Sequence, residues 1–302
     1  MKLLKYFVAL LLCCVFGAGT SHAQTSISGT TVTISTSGSY KASGNLTALT
    51  INASRVVLDL NGFIAFGTSS SGCTTTSGVA GNSCSGTPAS VAAIKITGSD
   101  VIVKNGTIAQ GFNQGILING TTPRQDVTLQ DLQIADFLGA AISSTTVGLR
   151  VKNVSISRCG QGIVATDEVD LSNVTSSNNN GVGIFLESGT LDHVISNYNK
   201  GDGITVSAAT LDHVVAASNQ NNGVTHAGVV RGAVALGNGG DGIAVSSGLS
   251  GVVEDSKAVA NSGNGYTFPS TSSCYFGLTA SANGGSGISG GTALAGSVAS
   301  CP

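Results

Sequence analysis

Charged residues are scarce in this sequence, and no long apolar segment follows its first 16 residues. Only 9% of the 302 residues are charged, the net charge is −2, and tryptophan is absent. The sequence therefore lacks the basic stripe that would attract a phosphate backbone, which argues against a nucleic acid as partner. After the N-terminus no stretch is continuously apolar over the about 20 residues that a transmembrane helix requires, so we predict no membrane span.

The N-terminus has the features of a secretory signal peptide. Two lysines precede an apolar run from Tyr6 to Phe16, and Ser21-His22-Ala23 supplies the small residues that signal peptidase requires. A lipoprotein signal is the rival interpretation, but no small residue immediately precedes Cys13. We predict that residues 1–23 are removed and that the mature chain is secreted or periplasmic.

Five cysteines remain after residue 23, and an oxidising compartment would allow them to form disulfides. Cys73 and Cys84 lie in one Gly/Ser/Thr-rich stretch, and Cys301 lies in the C-terminal tail, within reach of Cys274. We predict the disulfides Cys73–Cys84 and Cys274–Cys301. The remaining cysteine, Cys159, is expected to be a buried free thiol.

A column of turn residues is the strongest signal in the sequence. Its members are residues that readily adopt the left-handed αL conformation, and from the second member onward they recur every 19 to 26 residues. The members are Asn61, Asn105, Asp131, Asn153, Asn173, His193, His213, Gly232, Asp255 and Gly277. A second column stands six residues later and consists of Asn179, Asn199, Asn219, Asn238, Asn261 and Asn283. We expect these amides to form a hydrogen-bonded ladder.

Residues 149–165 illustrate one repeat. Leu149 and Val151 alternate with charged residues, Asn153 turns the chain, and Val154 and Ile156 alternate with serines. A Gly-rich turn then leads to a third apolar strand. Three short strands per repeat predict an all-β fold, a parallel β-helix of about ten coils, because helical repeats, leucine-rich repeats and propeller blades require patterns that are missing here.

The chain resembles the right-handed parallel β-helix proteins of the pectate-lyase-like superfamily, in their small bacterial secreted form. Residues 238–245 (Asn-Gly-Gly-Asp-Gly-Ile-Ala-Val) and 56–63 (Val-Val-Leu-Asp-Leu-Asn-Gly-Phe) carry this resemblance. We predict a β-helix over residues 51–290 with a loop insertion at 66–91, an N-terminal cap segment at 24–50, and a tail at 291–302. The insertion is interpreted either as a functional loop beside the groove or as a cap for the exposed sheet edge.

The resemblance implies that any catalytic groove lies on the outer face of the Gly-Ile-x-Val strands. The outward residues there have no carboxylate, Arg, Lys or His: Leu117, Ser143, Val164, Phe185, Thr205, Thr225, Ala244, Thr267 and Ser289. Glycoside hydrolysis requires two suitably separated carboxyl groups, which this column does not supply. We therefore predict no catalytic residues, and the question of enzyme activity remains open with a preference against it.

A polar ladder in the adjoining turns provides the candidate ligand-binding residues. They are Asp202, Asn222 and Asp241, with Lys200 and Glu187 nearby. Asp202 and Asp241 are two coils apart, about 10 Å, which is too far to share one ion, so neither a metal site nor a Ca²⁺ cofactor is supported. The alternative interpretation is a solvated turn that favours Asp-Gly and Asn-Gly.

Asp192-His193 and Asp212-His213 suggest acid–base chemistry, but both histidines occupy the turn column. We interpret them as turn residues, and assign no role to the inward-facing His226.

The first functional hypothesis is an exported non-catalytic β-helix that contacts carbohydrate or another cell-surface component. The alternatives are a polysaccharide lyase or glycoside hydrolase with an unrecognised site, and a structural or adhesive surface protein. The sequence does not predict the oligomeric state.

Overall fold

A computed structural model describes residues 24–66, 73–74, 83–84, 92–110, 113–120, 125–269 and 272–293. Within these residues all regular structure is β-strand, and no helix is present that could cross a membrane. The strands of the N-terminal half are β1 (Thr25–Thr30), β2 (Thr33–Ile34), β3 (Gly38–Thr47), β4 (Leu49–Ile51), β5 (Val56–Asp59), β6 (Ile64–Phe66), β7 (Cys73–Thr74), β8 (Ser83–Cys84), β9 (Ile94–Ile96), β10 (Val101–Ala109), β11 (Ile116–Ile118), β12 (Val127–Ala135), β13 (Ala140–Ser144) and β14 (Leu149–Ser157). Those of the C-terminal half are β15 (Gln161–Ser177), β16 (Ile184–Asp192), β17 (Ile195–Asn197), β18 (Ile204–Asp212), β19 (Val215–Ala217), β20 (Val224–Arg231), β21 (Val234–Leu236), β22 (Ile243–Val245), β23 (Gly251–Glu254), β24 (Lys257–Val259), β25 (Tyr266–Phe268), β26 (Cys274–Phe276), β27 (Thr279–Ser281), β28 (Ile288–Gly290) and β29 (Thr292–Ala293).

Parallel pairing between successive coils joins 27 of these strands into one sheet that winds as a solenoid. Leu149 pairs with Val169 on the next coil. Ile163 pairs with Ile184, and Ile184 pairs with Ile204 one coil further on. The solenoid has about 11 turns, slightly more than the ten predicted. The additional strands come from residues 25–51, where β1 to β4 already stack in parallel with later strands.

Each coil has three strand positions, which we call the first, second and third strands; in one coil they are residues 149–152, 154–157 and 161–165. The apolar residues of the first and third strands pair in register along the solenoid, as predicted, and nearly all are fully buried. Burial of these aliphatic side chains makes the main favourable contribution to the free energy of folding, at about 25 cal/mol per Å² of apolar surface.

The predicted turn column is confirmed in every member. All ten residues have φ between 46° and 63°, which is the left-handed region that Asn, Asp and Gly tolerate best. Because these residues turn the backbone without a wide loop, the first and second strands of most coils are separated by only one or two residues.

A second column of αL residues was not predicted. It lies five residues after the first column, and its φ values are between 52° and 66°. Its members are Gln110, Asp136, Arg158, Asn178, Tyr198, Ser218, Gly237, Ala260 and Ala282. Many of these residue types have no intrinsic preference for αL, so the surrounding structure imposes this conformation.

The predicted ladder of buried asparagines directly follows this second column. From Asn179 to Asn261, the backbone N–H and Nδ2 of each member both donate to Oδ1 of the next asparagine at 2.9–3.0 Å. The N-terminal end is closed by Cys159, whose backbone N–H donates to Asn179 Oδ1 at 3.0 Å. The ladder therefore satisfies the buried backbone groups of the corner.

Five predictions fall partly or wholly outside the described residues: the signal peptide, the insertion, the C-terminal tail beyond residue 293 and the two disulfides. The signal peptide, residues 1–23, lies outside them, as does Cys301. The backbones of Cys73 and Cys84 pair opposite each other in the antiparallel strands β7 and β8. Their side chains, and most of the predicted insertion, are not described, so both disulfides stay predictions. Cys159 is buried and free, as expected.

Candidate functional site

The outer face of the third strands carries one charged residue that the sequence analysis missed. Leu117 pairs with Lys95, which in turn pairs with Thr50, so Lys95 continues the outward column towards the N-terminus. The insertion interrupts the repeat before Lys95, and for this reason the spacing did not reveal it. Among the described residues the column still holds no carboxylate, so it cannot provide a pair of catalytic acids.

The predicted polar ladder is a continuous chain of hydrogen bonds beside this face. Asp202 Oδ1 accepts from the backbone N–H of Asn222 at 3.2 Å. Asp202 Oδ2 accepts from the hydroxyls of Thr205 at 3.1 Å and Thr225 at 3.0 Å. The carboxylate therefore joins two successive coils and holds the outward threonine hydroxyls in place.

The same arrangement repeats two coils later. Asp241 Oδ1 accepts from the backbone N–H of Asn264 at 2.7 Å, and Asp241 Oδ2 accepts from the hydroxyl of Thr267 at 2.7 Å. Asn222 lies between the two aspartates, and its Oδ1 accepts from the backbone N–H of Asp241 at 2.8 Å. Aspartate and asparagine thus both accept the backbone N–H of the next coil, but only the aspartates accept from threonine hydroxyls, whereas Asn222 Nδ2 donates to the hydroxyl of Thr225 at 3.2 Å.

The structure does not bring all five candidate residues together. Asp202, Asn222 and Asp241 are consecutive members of the polar ladder, whereas Glu187 is exposed at the end of the preceding third strand and Lys200 is half-buried in the turn. In the described part of the chain, no hydrogen bond or ion pair joins either side chain to the ladder. The arrangement presents hydroxyls and amides at each coil with charged residues at its margin.

Asp192, His193 and His213 lie close together at the turn between the first and second strands. His193 Nδ1 lies 2.6 Å from Oδ1 of Asp192, and His213 Nδ1 lies 2.9 Å from Oδ1 of Asp212. The two imidazole rings stack with centroids 5.2 Å apart and an interplanar angle of 14°. Both histidines are turn residues, as predicted, with φ of 52° and 50°. Their side chains additionally form an exposed cluster that the turn interpretation alone did not anticipate.

An open groove of about 480 Å³ follows the turn column on the N-terminal side of this cluster. Its polar lining comes from the turn column and from the outward residues of the second strands: Asp131, Gln133, Asn153, Ser155, Asn173 and Thr175. Asn153 Nδ2 donates to Asp131 Oδ1 at 2.9 Å, and Asn173 Nδ2 donates to Asn153 Oδ1 at 3.2 Å. These bonds fix the floor of the groove, while the exposed side chains of Gln133 and Ser155 extend from its wall.

Two further titratable groups are buried and face the core. His226 is fully buried, as its inward position predicts, and burial lowers its pKa from 6.5 to about 4. Cys159 is 3% exposed, and burial raises the pKa of its thiol to about 12. A thiol with this pKa remains protonated at neutral pH, so Cys159 is not an activated nucleophile.

Comparison with known proteins supports the fold and does not identify a family. No protein-family model and no curated protein matches the sequence. Among solved structures, the Dettilon tailspike protein aligns with a TM-score of 0.54 and 11% identity, over 84% of this chain and 62% of the tailspike. The mannuronan C-5 epimerase AlgE6 A-module of Azotobacter vinelandii aligns with a TM-score of 0.47 and 12% identity, over 95% of this chain and 93% of that module.

The catalytic unit of a GH87 alpha-1,3-glucanase from Streptomyces thermodiastaticus aligns with a TM-score of 0.40 and 15% identity, over 89% of this chain and 63% of that unit. Of these likenesses, only that to the tailspike is strong enough to bear on the fold. The chain spans 62% of the tailspike's length. Together with the parallel register of the strands, the tailspike likeness confirms the predicted fold, a right-handed parallel β-helix.

Proposed function

We propose that this protein is an exported, non-catalytic β-helix that contacts carbohydrate or another cell-surface component along its polar exterior. The observation that carries this proposal is the groove lined by Asp131, Gln133, Asn153, Ser155, Asn173 and Thr175. It is concave, it crosses several coils, and its floor is fixed by side-chain hydrogen bonds. A rigid array of amides and hydroxyls is suited to the hydroxyl groups of a sugar chain, because little ordering entropy is lost on binding.

The polar ladder of Asp202, Asn222 and Asp241 is the second candidate contact surface. Its side chains already hydrogen-bond to one another and to the neighbouring threonines, so their first role is to join the coils. Their partly exposed atoms, with Lys200 and Glu187 at the margin, could still contact a ligand from outside. As acceptors held within the ladder, the two aspartates are poorly suited to act as a general acid and base on a substrate.

Glycan-array binding with a parallel test for glycan turnover would examine this proposal, and two sets of variants would distinguish the surfaces. Replacing Gln133 and Ser155 together by alanine removes two exposed hydrogen-bonding groups from the groove. At about 1 kcal/mol for each lost hydrogen bond, glycan binding should weaken about 30-fold. Asp202→Asn should leave groove binding unchanged, and because asparagine occupies the same ladder at Asn222, this variant should remain folded.

The results would also separate the two alternative functions. Turnover of a glycan that Asp202→Asn abolishes would establish a lyase or hydrolase and overturn the non-catalytic proposal. If wild-type protein binds no glycan on the array and attaches to intact cells, the contact is with another cell-surface component; binding to neither would overturn the proposal in favour of a structural role. Binding that Asp202→Asn weakens and the groove variant does not would move the contact to the polar ladder.

A further inference from the structure

Two histidines stand where the fold itself requires only a turn residue. Asn153 and Asn173 occupy the same column on the two preceding coils, with φ of 53° in both cases. His193 and His213 have φ of 52° and 50°, so asparagine would serve the backbone equally well at these positions. Only three histidines follow residue 23, and two of them are stacked here on successive coils. The turn therefore explains the backbone and leaves the choice of imidazole unexplained.

The carboxylates next to these histidines orient both rings. Asp192 and Asp212 each contact the Nδ1 atom of the following histidine, at 2.6 Å and 2.9 Å. Oδ1 of Asp192 therefore lies beside a ring nitrogen of His193, so both atoms can bind one ion when the metal replaces the shared proton. Ligand atoms from Asp192, His193 and His213 lie within 4.8 Å of one another.

The local charge also favours a cation. Asp192 and Asp212 place two carboxylates on successive coils. The nearest basic side chain, Arg231, pairs with Asp212 in the backbone register, but its guanidinium donates to Glu254 at 2.7 Å. The hydrogen bond with Glu254 and, to a smaller extent, the charge of Asp212 raise the pKa of Arg231, so Arg231 partly offsets Asp212. Asp192 lies one coil further away and supplies negative charge beside the imidazoles.

We propose that Asp192, His193 and His213 form a surface binding site for a late first-row divalent metal ion: Ni²⁺, Cu²⁺ or Zn²⁺. Two imidazoles and one carboxylate suit these ions better than Ca²⁺ or Mg²⁺, which bind through oxygen. Two nitrogens bound to one tetrahedral ion are about 3.3 Å apart, given metal–nitrogen bonds of about 2.0–2.1 Å. Small side-chain rotations can bring the three ligand atoms to such distances, because the atoms already lie within 4.8 Å of one another and both histidine side chains are 61% exposed.

The site would have an open coordination position and would lie beside the groove. Three protein ligands leave the fourth position of a tetrahedral ion for water or another donor. His193 follows Asn173 in the turn column, and Asn173 lines the groove. The metal would therefore be reached from the same exterior as the proposed carbohydrate contact, although its binding does not depend on that contact.

Titration calorimetry with Zn²⁺ and electron paramagnetic resonance with Cu²⁺ would test the proposal on protein without a histidine tag. Wild-type protein should bind one Zn²⁺, and the Cu²⁺ spectrum should show hyperfine splitting from imidazole nitrogen. His193→Asn and His213→Asn should each abolish Zn²⁺ binding at concentrations that saturate the wild type. Both variants should retain the wild-type melting temperature, because asparagine fits the αL turn.

The buried histidine provides a matched control. His226→Val removes an imidazole far from solvent and should leave the stoichiometry and affinity for Zn²⁺ unchanged. No Zn²⁺ binding by wild-type protein, or equal binding by the double variant of His193 and His213, would overturn the proposal.

Discussion

Acid should destabilise this β-helix through one buried histidine, His226. Its ring lies in the inward column between Val206 and Val245 of the adjacent coils. Neither ring nitrogen has a hydrogen-bond partner among the described residues. Since burial disfavours the charged imidazolium, the pKa of His226 falls to about 4 in the folded protein, from 6.5 for an exposed histidine.

The sign and size of the effect follow from these two values. Between about pH 6.5 and about pH 4 the unfolded chain binds a proton at this residue and the folded chain does not, so the free energy of unfolding decreases as the pH falls. At about 1.36 kcal/mol for each pKa unit, the full loss is about 3 kcal/mol, reached near pH 4. Above about pH 7 both states are neutral at His226, and this residue contributes no pH dependence.

Urea unfolding at a series of pH values would measure this effect, with His226→Val as the reference protein. Valine occupies the paired positions in both neighbouring coils, so the substitution fits the column. Carboxylates elsewhere titrate in both proteins, and subtracting the two pH profiles isolates the histidine. Hydrogen exchange of β20 would report the same opening locally. Identical pH profiles for the two proteins would refute the reasoning.

Four further predictions concern the asparagine ladder and the cysteines. Asn219→Leu should lower the free energy of unfolding by about 3 kcal/mol or more in urea titrations, because buried N–H and C=O groups lose their partners. Gln220→Leu is the control and should have little effect, because Gln220 is exposed. Gly203→Ala should lower the free energy of unfolding by about 1–3 kcal/mol, because its Cβ would lie 2.6 Å from Asn219 Nδ2. Gly287→Ala is the control and should be tolerated, because the atom nearest to its Cβ is 3.3 Å away. Equal melting temperatures for these two variants would contradict the close-packing argument. Reduction should raise the intact mass by about 4 Da, corresponding to two disulfides. Cys159 should react with a thiol reagent only after unfolding, and labelling of native protein would show that it is accessible.

The repeat was predictable from the sequence because side-chain phase in a β-helix is set locally. The αL residues of the turn column could be identified from Asn, Asp and Gly at regular spacing, and they fixed which neighbours face inward. The second αL column could not be found in this way. Tyr198 and Ala260 adopt the same conformation there, imposed by the adjacent ladder and not by their own preference.

The candidate sites were harder to predict because they depend on distances between side chains. The sequence placed Asp202 and Asp241 in one column, but only the coordinates show that threonine hydroxyls occupy their carboxylates. The sequence analysis did not identify the groove beside Gln133 and Ser155. Its signal is that the residues two positions after four successive turns are polar, at Thr107, Gln133, Ser155 and Thr175. Lys95 was missed because the insertion breaks the count before it.

The corner that contains the asparagine ladder is packed with different side chains in the N-terminal and C-terminal coils. In the coil of Asp131, Ile134 and Phe137 fill the corner, and both are buried. One coil later Ile156 is kept, and the smaller Cys159 replaces the aromatic ring. From the next coil onward, the corner holds Ser176 and Asn179, joined by a hydrogen bond of 3.0 Å.

A large apolar pair and the amide ladder cannot occupy the same corner, because the volume available to side chains there is fixed. A chain of amides needs a small residue three positions after the turn, and Ser176, Ser196, Ala216 and Ala235 meet this requirement. It also needs glycine before the third strand, since a Cβ at Gly223 would lie 2.7 Å from Nδ2 of Asn238. The ladder therefore occupies the space that becomes free where the isoleucines of earlier coils are replaced by serine and alanine at this position. Isoleucine at Ser196 should displace the amides and disrupt the corner, even though isoleucine is the native residue at the equivalent position 156.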